Sequence, residues 1–469
     1  IQLLLLRFGV HARLYLTPYT THGGHGYTLA VTGADQILAF FDGVGDLPSK
    51  ADECAKARAY AGSVKGNTNC DVMPFTCGEL NSWMSGLISR PAGSYWWGLS
   101  ARPSSGISVS MWNRWLQDFA SYEEARELAS RFPHERSVFL RVKAVESLEG
   151  EAHVGDMCVE SDHRFVSAGI STHNSIGYGK CVSGDTEVFD SASGRRRLVS
   201  DLGAFSTPAF DDAGFAKNRE CSSFFSGYKS CVRLVTASGR SVELSLDHPV
   251  LTPDGWVPVS EVSEGDLVAT PRRIPEPDFV LDVTDEEVIL LAYLLADGGT
   301  TQATPSFTNA IPSVIEEYRQ AAEMVADFSR YPDTHKHYEE CERTTRVVDR
   351  HDNGEAVTVY ARGLTTLIKR WGLFGKKSTE KRVPAELYGL NDRQVGLFLN
   401  RFFSCDGHIF NGSQRTIEVC LASERMIDDL AWMMKRIGVH ARKAYKSAKM
   451  DSQVFDSWRL TVSDRDGVL

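Results

Sequence analysis

His173-Asn174-Ser175-Ile176-Gly177-Tyr178-Gly179-Lys180-Cys181 is the stretch that orders the rest of this chain. An asparagine side-chain amide can attack its own backbone carbonyl, closing a succinimide and cutting the chain behind itself. The departing amine then needs a proton, and an imidazole in the preceding position suits that task near neutral pH. Ser175, just past the cut, carries a hydroxyl nucleophile. Cys181 carries a thiol that can take over the acyl group of Lys180. That step turns a peptide link into a thioester, provided the amide is distorted and its oxygen stabilised. Each of these pairs alone is a weak signal, so the flanking sequence decides.

Working outward, residues 137–174 read as short strands with tight turns. Residues 181–273 alternate Val and Leu with polar positions and are punctuated by Ser183-Gly184-Asp185, Ala237-Ser238-Gly239 and Thr252-Pro253-Asp254-Gly255, an all-β pattern. After Pro275 the composition shifts to long amphipathic helices at 285–295, 315–328, 392–403 and 424–437, mixed with strands. Toward the N-terminus, 2–7 reads as a helix end and 27–31 as a strand. Helices are expected at 34–41 and 122–131, with Pro- and Ser-rich joints at 90–94 and 102–106. One module occurs twice. Arg7-Phe-Gly-Val-His-Ala-Arg13 reappears as Arg436-Ile-Gly-Val-His-Ala-Arg442, and Tyr27-Thr-Leu-Ala-Val-Thr32 is echoed by Trp458-Arg-Leu-Thr-Val-Ser463.

With that context, Gly155-Asp-Met-Cys-Val-Glu-Ser-Asp-His163 through Asn174-Ser175 resembles the C-terminal splicing blocks of the intein family. The resemblance implies Asp156 as the upstream acid, His163 as the upstream imidazole and His173 as the penultimate histidine. Asn174 is then the cyclising residue and Ser175 the first residue of the host. Cys181-Val-Ser-Gly-Asp-Thr-Glu-Val-Phe189 resembles an intein N-terminus, with Cys181 the first nucleophile. Val242-Glu-Leu-Ser-Leu-Asp-His248-Pro resembles the block containing Thr-x-x-His, with His248 its imidazole. Ser245 stands where Thr is usual, which keeps the hydroxyl. The implied activity is autocatalytic splicing of a host extein in cis, with no cofactor. It comprises an acyl shift at Cys181, transesterification and cyclisation of Asn174.

The order of the halves is reversed from that of a whole intein, and the duplicated module argues against simple permutation. The expectation is therefore a piece of a precursor holding two closely spaced inteins. It comprises a remnant of a nuclease repeat at 1–46, a nuclease tail or helical linker at 47–136 and a C-terminal splicing segment at 137–174. Host residues follow at 175–180, then an N-terminal splicing segment at 181–273 and an incomplete endonuclease at 274–469. Host residues Ser175 to Lys180, if preceded by Gly and followed by Ser or Thr, would read G-x-x-x-x-G-K-[ST], the phosphate-cradling loop of a P-loop ATPase such as a helicase.

Ile289-Leu-Leu-Ala-Tyr-Leu-Leu-Ala-Asp297-Gly298 and Leu399-Asn-Arg-Phe-Phe-Ser-Cys-Asp406-Gly407 resemble the paired helices of LAGLIDADG homing endonucleases. Two such helices side by side bring Asp297 and Asp406 together, where like charges call for Mg2+ or a similar divalent cation. Such a metal activates water and stabilises the leaving oxygen in phosphodiester cleavage. Lys381, in Glu380-Lys-Arg-Val-Pro384, matches the family's active-site lysine, and Lys65 the corresponding residue of the first copy. Lys369, Arg370, Lys376, Lys377 and Arg382, with Arg362 nearby, form the expected phosphate-tracking surface for double-stranded DNA.

Composition bounds these readings. The chain has 469 residues, 42% hydrophobic and 24% charged, with a formal net charge of −10, which excludes a disordered, collagenous or generally polyanion-coating protein. No apolar run reaches the roughly 20 residues of a membrane span, so no membrane partner is expected. Ten cysteines without C-x-x-C pairs speak for a reducing, cytoplasmic setting. The expected architecture is α+β and multidomain: an all-β horseshoe splicing (Hint) domain plus an α/β endonuclease, acting as a monomer. The alternatives are a DNA-binding or nuclease protein with a structural β domain, and a Hint-type autoprocessing domain.

Overall fold

The computed structural model describes residues 12–18, 25–31, 38, 41–42, 45–63, 72–85, 106–131, 137–159, 163–167, 169–173, 180–201, 203–210, 216–237, 239–271, 274–327, 345–349, 356–409, 417–436, 442–450 and 453–462. Residues 2–7, most of 34–41, Lys65, Asn174 and Ser175 lie outside the described residues.

A hairpin of β1 (Ala12–Pro18) and β2 (His25–Val31) comes first, and a one-turn 3-10 helix, Pro48–Lys50, leads into α1 (Ala51–Ser63). Next comes a small unit of β3 (Val72–Thr76), α2 (Cys77–Ser85), β4 (Gly106–Ser108), α3 (Val109–Asp118) and α4 (Glu123–Arg131). Its core is separate, built on Met73, Phe75, Trp112, Trp115 and Phe119. The Trp112 and Trp115 rings stack with centroids 4.9 Å apart.

The described residues between 137 and 271 are strands and turns, with two one-turn 3-10 helices, Val199–Asp201 and Val259–Glu261. They hold β5 (Ser137–Ser147), β6 (Ala152–Val159), β7 (Arg164–Ser167), β8 (Ile170–His173), β9 (Val182–Ser183), β10 (Glu187–Asp190) and β11 (Arg195–Leu198). Beyond these lie β12 (Ala204–Phe210), β13 (Ala216–Lys229), β14 (Cys231–Thr236), β15 (Ser241–Ser245), β16 (Pro249–Thr252), β17 (Gly255–Pro258) and β18 (Leu267–Pro271). An open eight-stranded sheet runs β12-β13-β6-β9-β15-β14-β5-β18, and an open four-stranded one runs β17-β16-β8-β7. Both sheets mix strands from before and after residues 174–179. Val142, Met157 and Phe165 from the first stretch share one core with Val188, Leu234, Leu244 and Val268 from the second. Burying those side chains together makes neither stretch a stable sheet by itself.

The C-terminal part is an internal duplication. α5 (Asp285–Ala296), β19 (Gly298–Gly299), β20 (Ser306–Asn309), α6 (Pro312–Val325), β21 (Thr345–Asp349) and β22 (Val357–Ala361) form the first unit. A short helix, α7 (Thr365–Arg370), links it to the second. That unit is α8 (Asp392–Asp406), β23 (Gly407–Ile409), β24 (Ile417–Leu421), α9 (Glu424–Arg436), β25 (Arg442–Met450) and β26 (Gln453–Val462). Their sheets share one topology, β19-β20-β22-β21 and β23-β24-β26-β25. The repeated N-terminal module folds as the same hairpin as its partner, with Arg13 opposite Ala30 and Arg442 opposite Thr461. The helix expected at 315–328 begins earlier, at Pro312, because a proline's missing N–H costs nothing in the first turn, and it ends at Val325.

α5 and α8 pack against each other, and local chemistry fixes both ends of each. Thr284 caps α5 by accepting the Glu287 N–H, and Asn391 caps α8 by accepting that of Gln394. Both helices stop at Asp-Gly. A Cβ at Gly298 would collide with the Leu294 backbone, and one at Gly407 with the Phe403 carbonyl, so only glycine allows the chain to leave so tightly. Among the described residues no helix is long and apolar enough to cross a membrane, and the eight cysteines described are all free thiols.

Candidate functional site

Three adjacent strands assemble the first cluster. β9 is only two residues long, yet it pairs with β15 through Val182 and Leu244 and with β6 through Val182 and Gly155. Cys181, Ser245 and Asp156 thereby lie beside one another, each almost fully buried. The Cys181 N–H donates to Ser245 Oγ at 2.9 Å, and the Ser245 N–H returns a bond to the Cys181 carbonyl at 3.0 Å. The Ser245 hydroxyl donates in turn to Asp247 Oδ1 at 2.8 Å. His248 Nδ1 sits 3.1 Å from the Cys181 carbonyl oxygen. Asp156 Oδ1 accepts the Met157 N–H at 2.9 Å.

Upstream histidines converge on the same place. β8 pairs with β16 at Thr172 and Val250, so His173, the last residue of β8, ends next to the residues that follow His248. The His173 ring lies 5.0 Å from that of Trp256 and 6.5 Å from that of His163. His163 adopts φ +50°, a left-handed conformation uncommon for a non-glycine residue, and its Nδ1 is buried without a protein partner. Lys180, Cys181 and His173 bracket the connection 174–179 from both sides.

A carbonyl can only accept, so the His248 Nδ1 must carry the proton, leaving Nε2 bare and buried without a partner. Burial pushes the His248 pKa down to about 4, with the hydrogen bond to the Cys181 carbonyl opposing it. The ring is therefore a neutral donor at pH 7, aimed at the peptide next to the Lys180–Cys181 link. Linkage gives the sign of its effect on stability. The unfolded imidazole takes a proton below about pH 6.5 while the folded one stays neutral down to about 4, so stability falls as pH drops through that window. Acid should cost up to about 3 kcal/mol between pH 7 and pH 4 through this group. Urea denaturation of wild type and His248→Gln at both pH values checks it: the variant should lose less of its stability on acidification.

The second cluster lies at the ends of α5 and α8. Asp297 is the C-cap of α5 and Asp406 the last residue of α8. Partial burial, followed by the neighbouring Asp297 charge, raises the Asp406 carboxyl to about 7. Lys381, almost fully buried, donates from Nζ to the carbonyls of Leu294 at 2.8 Å, Leu295 at 3.3 Å and Gly298 at 2.7 Å. Burial lowers its pKa to about 8, opposed by Asp406 and Asp297. Lys50 Nζ donates to the Ser404 carbonyl of α8 at 2.9 Å and counts Asp297 among its charged neighbours. Lys50 is a site residue the sequence reading missed. Its signal was its spacing from a preceding hairpin: Lys50 lies 19 residues beyond Val31, where β2 of the β1–β2 hairpin ends, and Lys381 lies 20 beyond Ala361, where β22 of the β21–β22 hairpin ends.

Two carboxylates form a hard-oxygen donor set that fits an Mg2+-like cation, which takes one or two carboxylates and completes its shell with water and phosphate. Among the described residues no group of three or more His, Cys, Asp or Glu forms a fuller metal cage. The basic residues divide. Lys369, Arg370, Lys376 and Lys377 are exposed, with Lys369 Nζ 4.9 Å from the centre of the Phe374 ring. Arg370 is ion-paired with Glu287. Arg382 reaches Asp429 at 3.3 Å and Glu187 at 3.7 Å. It belongs to a half-buried network around the buried Asp429 that includes Arg196 and joins the β region to the helical part.

The chain is 28% identical over 303 residues to replicative DNA helicase DnaB of Rhodothermus marinus, covering 62% of this chain and 31% of that protein. It is 25% identical over 273 residues to protein RecA of Mycobacterium tuberculosis, covering 55% and 33%. It thus spans about a third of the length of these curated relatives. A solved structure of variants of the homing endonuclease I-DmoI aligns with 39% of this chain and 90% of its own, at 10% identity and a TM-score of 0.25. Residues 393–469, which contain all of α8 but its first residue and the sheet that follows it, match the family described as the LAGLIDADG-like domain.

Proposed function

We propose that this chain is a self-processing element of intein type that carries a metal-dependent DNA endonuclease. The observation that carries the reading is the Cys181–Ser245–His248 cluster, with Asp156 beside it and His173 at its edge. In this reading Ser245 grips the nitrogen of the Lys180–Cys181 link, and His248 polarises the adjacent carbonyl. The Cys181 thiol then takes the acyl group, and Ser175 receives it from the thioester. His173, with Asp156 and His163 around it, serves cyclisation of Asn174, which ends the sequence by cutting behind residue 174. Residues 137–174 and 181–273 together make the splicing domain, a horseshoe of the Hint type. Residues 175–180 belong to the host, 274–469 to the nuclease, and 1–136 to an earlier copy.

Asp297 and Asp406 would hold a divalent cation, which when bound supplies an activated water and neutralises the leaving oxygen. Lys381 fixes the end of α5, and the exposed Lys369, Lys376 and Lys377 meet the phosphates of duplex DNA. Relatives named as a helicase and as RecA support a host of the P-loop ATPase class. Incubating the purified full chain with a small thiol and recording its mass tests the splicing reading. Fragments ending at Lys180 and beginning at Cys181 are expected, together with a cut behind Asn174 that Asn174→Ala removes. A mass unchanged by thiol, with both junctions intact, overturns it.

A further inference from the structure

Lys50 and Lys381 do the same work on two helices but come from opposite sides of the β region. Leu295 and Ser404 each stand two residues before the aspartate that closes their helix, and each carbonyl accepts a lysine Nζ. The arm that delivers Lys50 is built into the C-terminal core. Leu47, Cys54 and Ala57 are buried in the cluster that holds Leu291, Phe398 and Phe402. The Leu47 N–H donates to Cys54 Sγ at 3.3 Å, which closes the arm on itself. Asn400 of α8 donates from Nδ2 to the Asp46 carbonyl at 3.1 Å. Gly45 turns with φ +85°, a conformation that L side chains rarely adopt, and Asn400 Nδ2 lies 3.4 Å from where its Cβ would be. The β1–β2 hairpin makes a second attachment, with β2 lying against β24, β25 and β26.

We propose that residues 12–63 are a docked clamp on the C-terminal two-helix unit, which is thus assembled from both sides of the β region and holds this segment without needing a covalent link. The consequence rests on the self-processing reading above. Scission at 174–180 leaves Lys50 on one piece and both aspartates on the other, and the clamp adds a second attachment to the β sheets that the two pieces share. Lys50 is a positioning residue here: its ammonium fixes the last turn of α8 through the Ser404 carbonyl.

The test places a site-specific protease recognition sequence between residues 64 and 71 of the full chain, cuts there, and identifies by mass each gel-filtration peak at micromolar protein. The N-terminal piece should co-elute with the remainder. Leu47→Asp should expel it, and Lys50→Met should weaken its retention about tenfold, the worth of one charge-assisted hydrogen bond, with much of the loss restored by Lys50→Arg. A wild-type N-terminal piece that elutes alone overturns the proposal. In the uncut chain, hydrogen exchange in the last turn of α8 should quicken with Lys50→Met, and an unchanged rate overturns the role of Lys50. Neither readout depends on splicing or on DNA cleavage, so failure of the clamp and failure of the functional reading are told apart.

Discussion

A chain carrying Cys181→Ala should remain uncut ahead of residue 181 under thiol conditions that cleave the wild type, with the rate down by at least about 10³-fold. The size of the effect follows from what the neighbours cannot do. Ser245 Oγ is committed to Asp247 while it accepts the Cys181 N–H, and His248 at neutral pH is an uncharged donor, so neither replaces a thiolate-forming nucleophile. The fold should survive. Removing one sulfur from a fully buried site costs about 1 kcal/mol, and the backbone bonds between Cys181 and Ser245 do not involve the side chain. Cys181→Ser separates the steps, because a hydroxyl gives slow ester formation that small thiols release poorly. Mass spectrometry of the three chains after the same incubation reads the outcome. Equal cleavage in the alanine variant would show that the cut is made by a contaminating protease.

Asp406→Asn should do two opposite things. In the presence of Mg2+, cleavage of a DNA target should fall by about 10³-fold or more, since half of the anionic donor set is gone. In metal-free buffer at pH 7.5 the same variant should be more stable than wild type, by on the order of 2 kcal/mol. The sign comes from linkage: burial and the Asp297 charge push the folded carboxyl up to about 7 from an ordinary 3.8, so the folded state is disfavoured as pH rises through that interval. Asparagine removes the like charge beside Asp297 and with it the penalty. Thermal melts at pH 5 and pH 7.5 check this, because the gain should shrink at the lower pH, where the wild-type carboxyl is protonated. A carboxylate that merely supported the fold would lose stability on substitution, so the paired result distinguishes a site from a scaffold.

Most elements were legible in the sequence because their signals are local. Alternation over 181–273 announced strands, and helical spacing announced α5, α8 and α9. Asp-Gly marked both helix ends, since only glycine leaves a helix that tightly. Arg370 and Arg382 show where charge counting stops being informative. Both read as phosphate-tracking residues; the fold adds an acid beside each, Glu287 and Asp429, while leaving Arg370 exposed and Arg382 half-buried. A run of basic residues carries no record of which acid the fold will bring up from elsewhere.

By itself the sequence determined the chemistry-bearing residue types, the β character of 137–273, the repeated hairpin and the two helices that end in aspartate. Only the tertiary structure decided which of these meet. Cys181 and Ser245 are 64 residues apart and Lys50 and Ser404 are 354 apart, and each pair is a hydrogen bond in the fold. Periodicity and capping act over one or two turns of chain. Contacts at such separations are selected by the burial of a whole core at once, which no short window of sequence expresses.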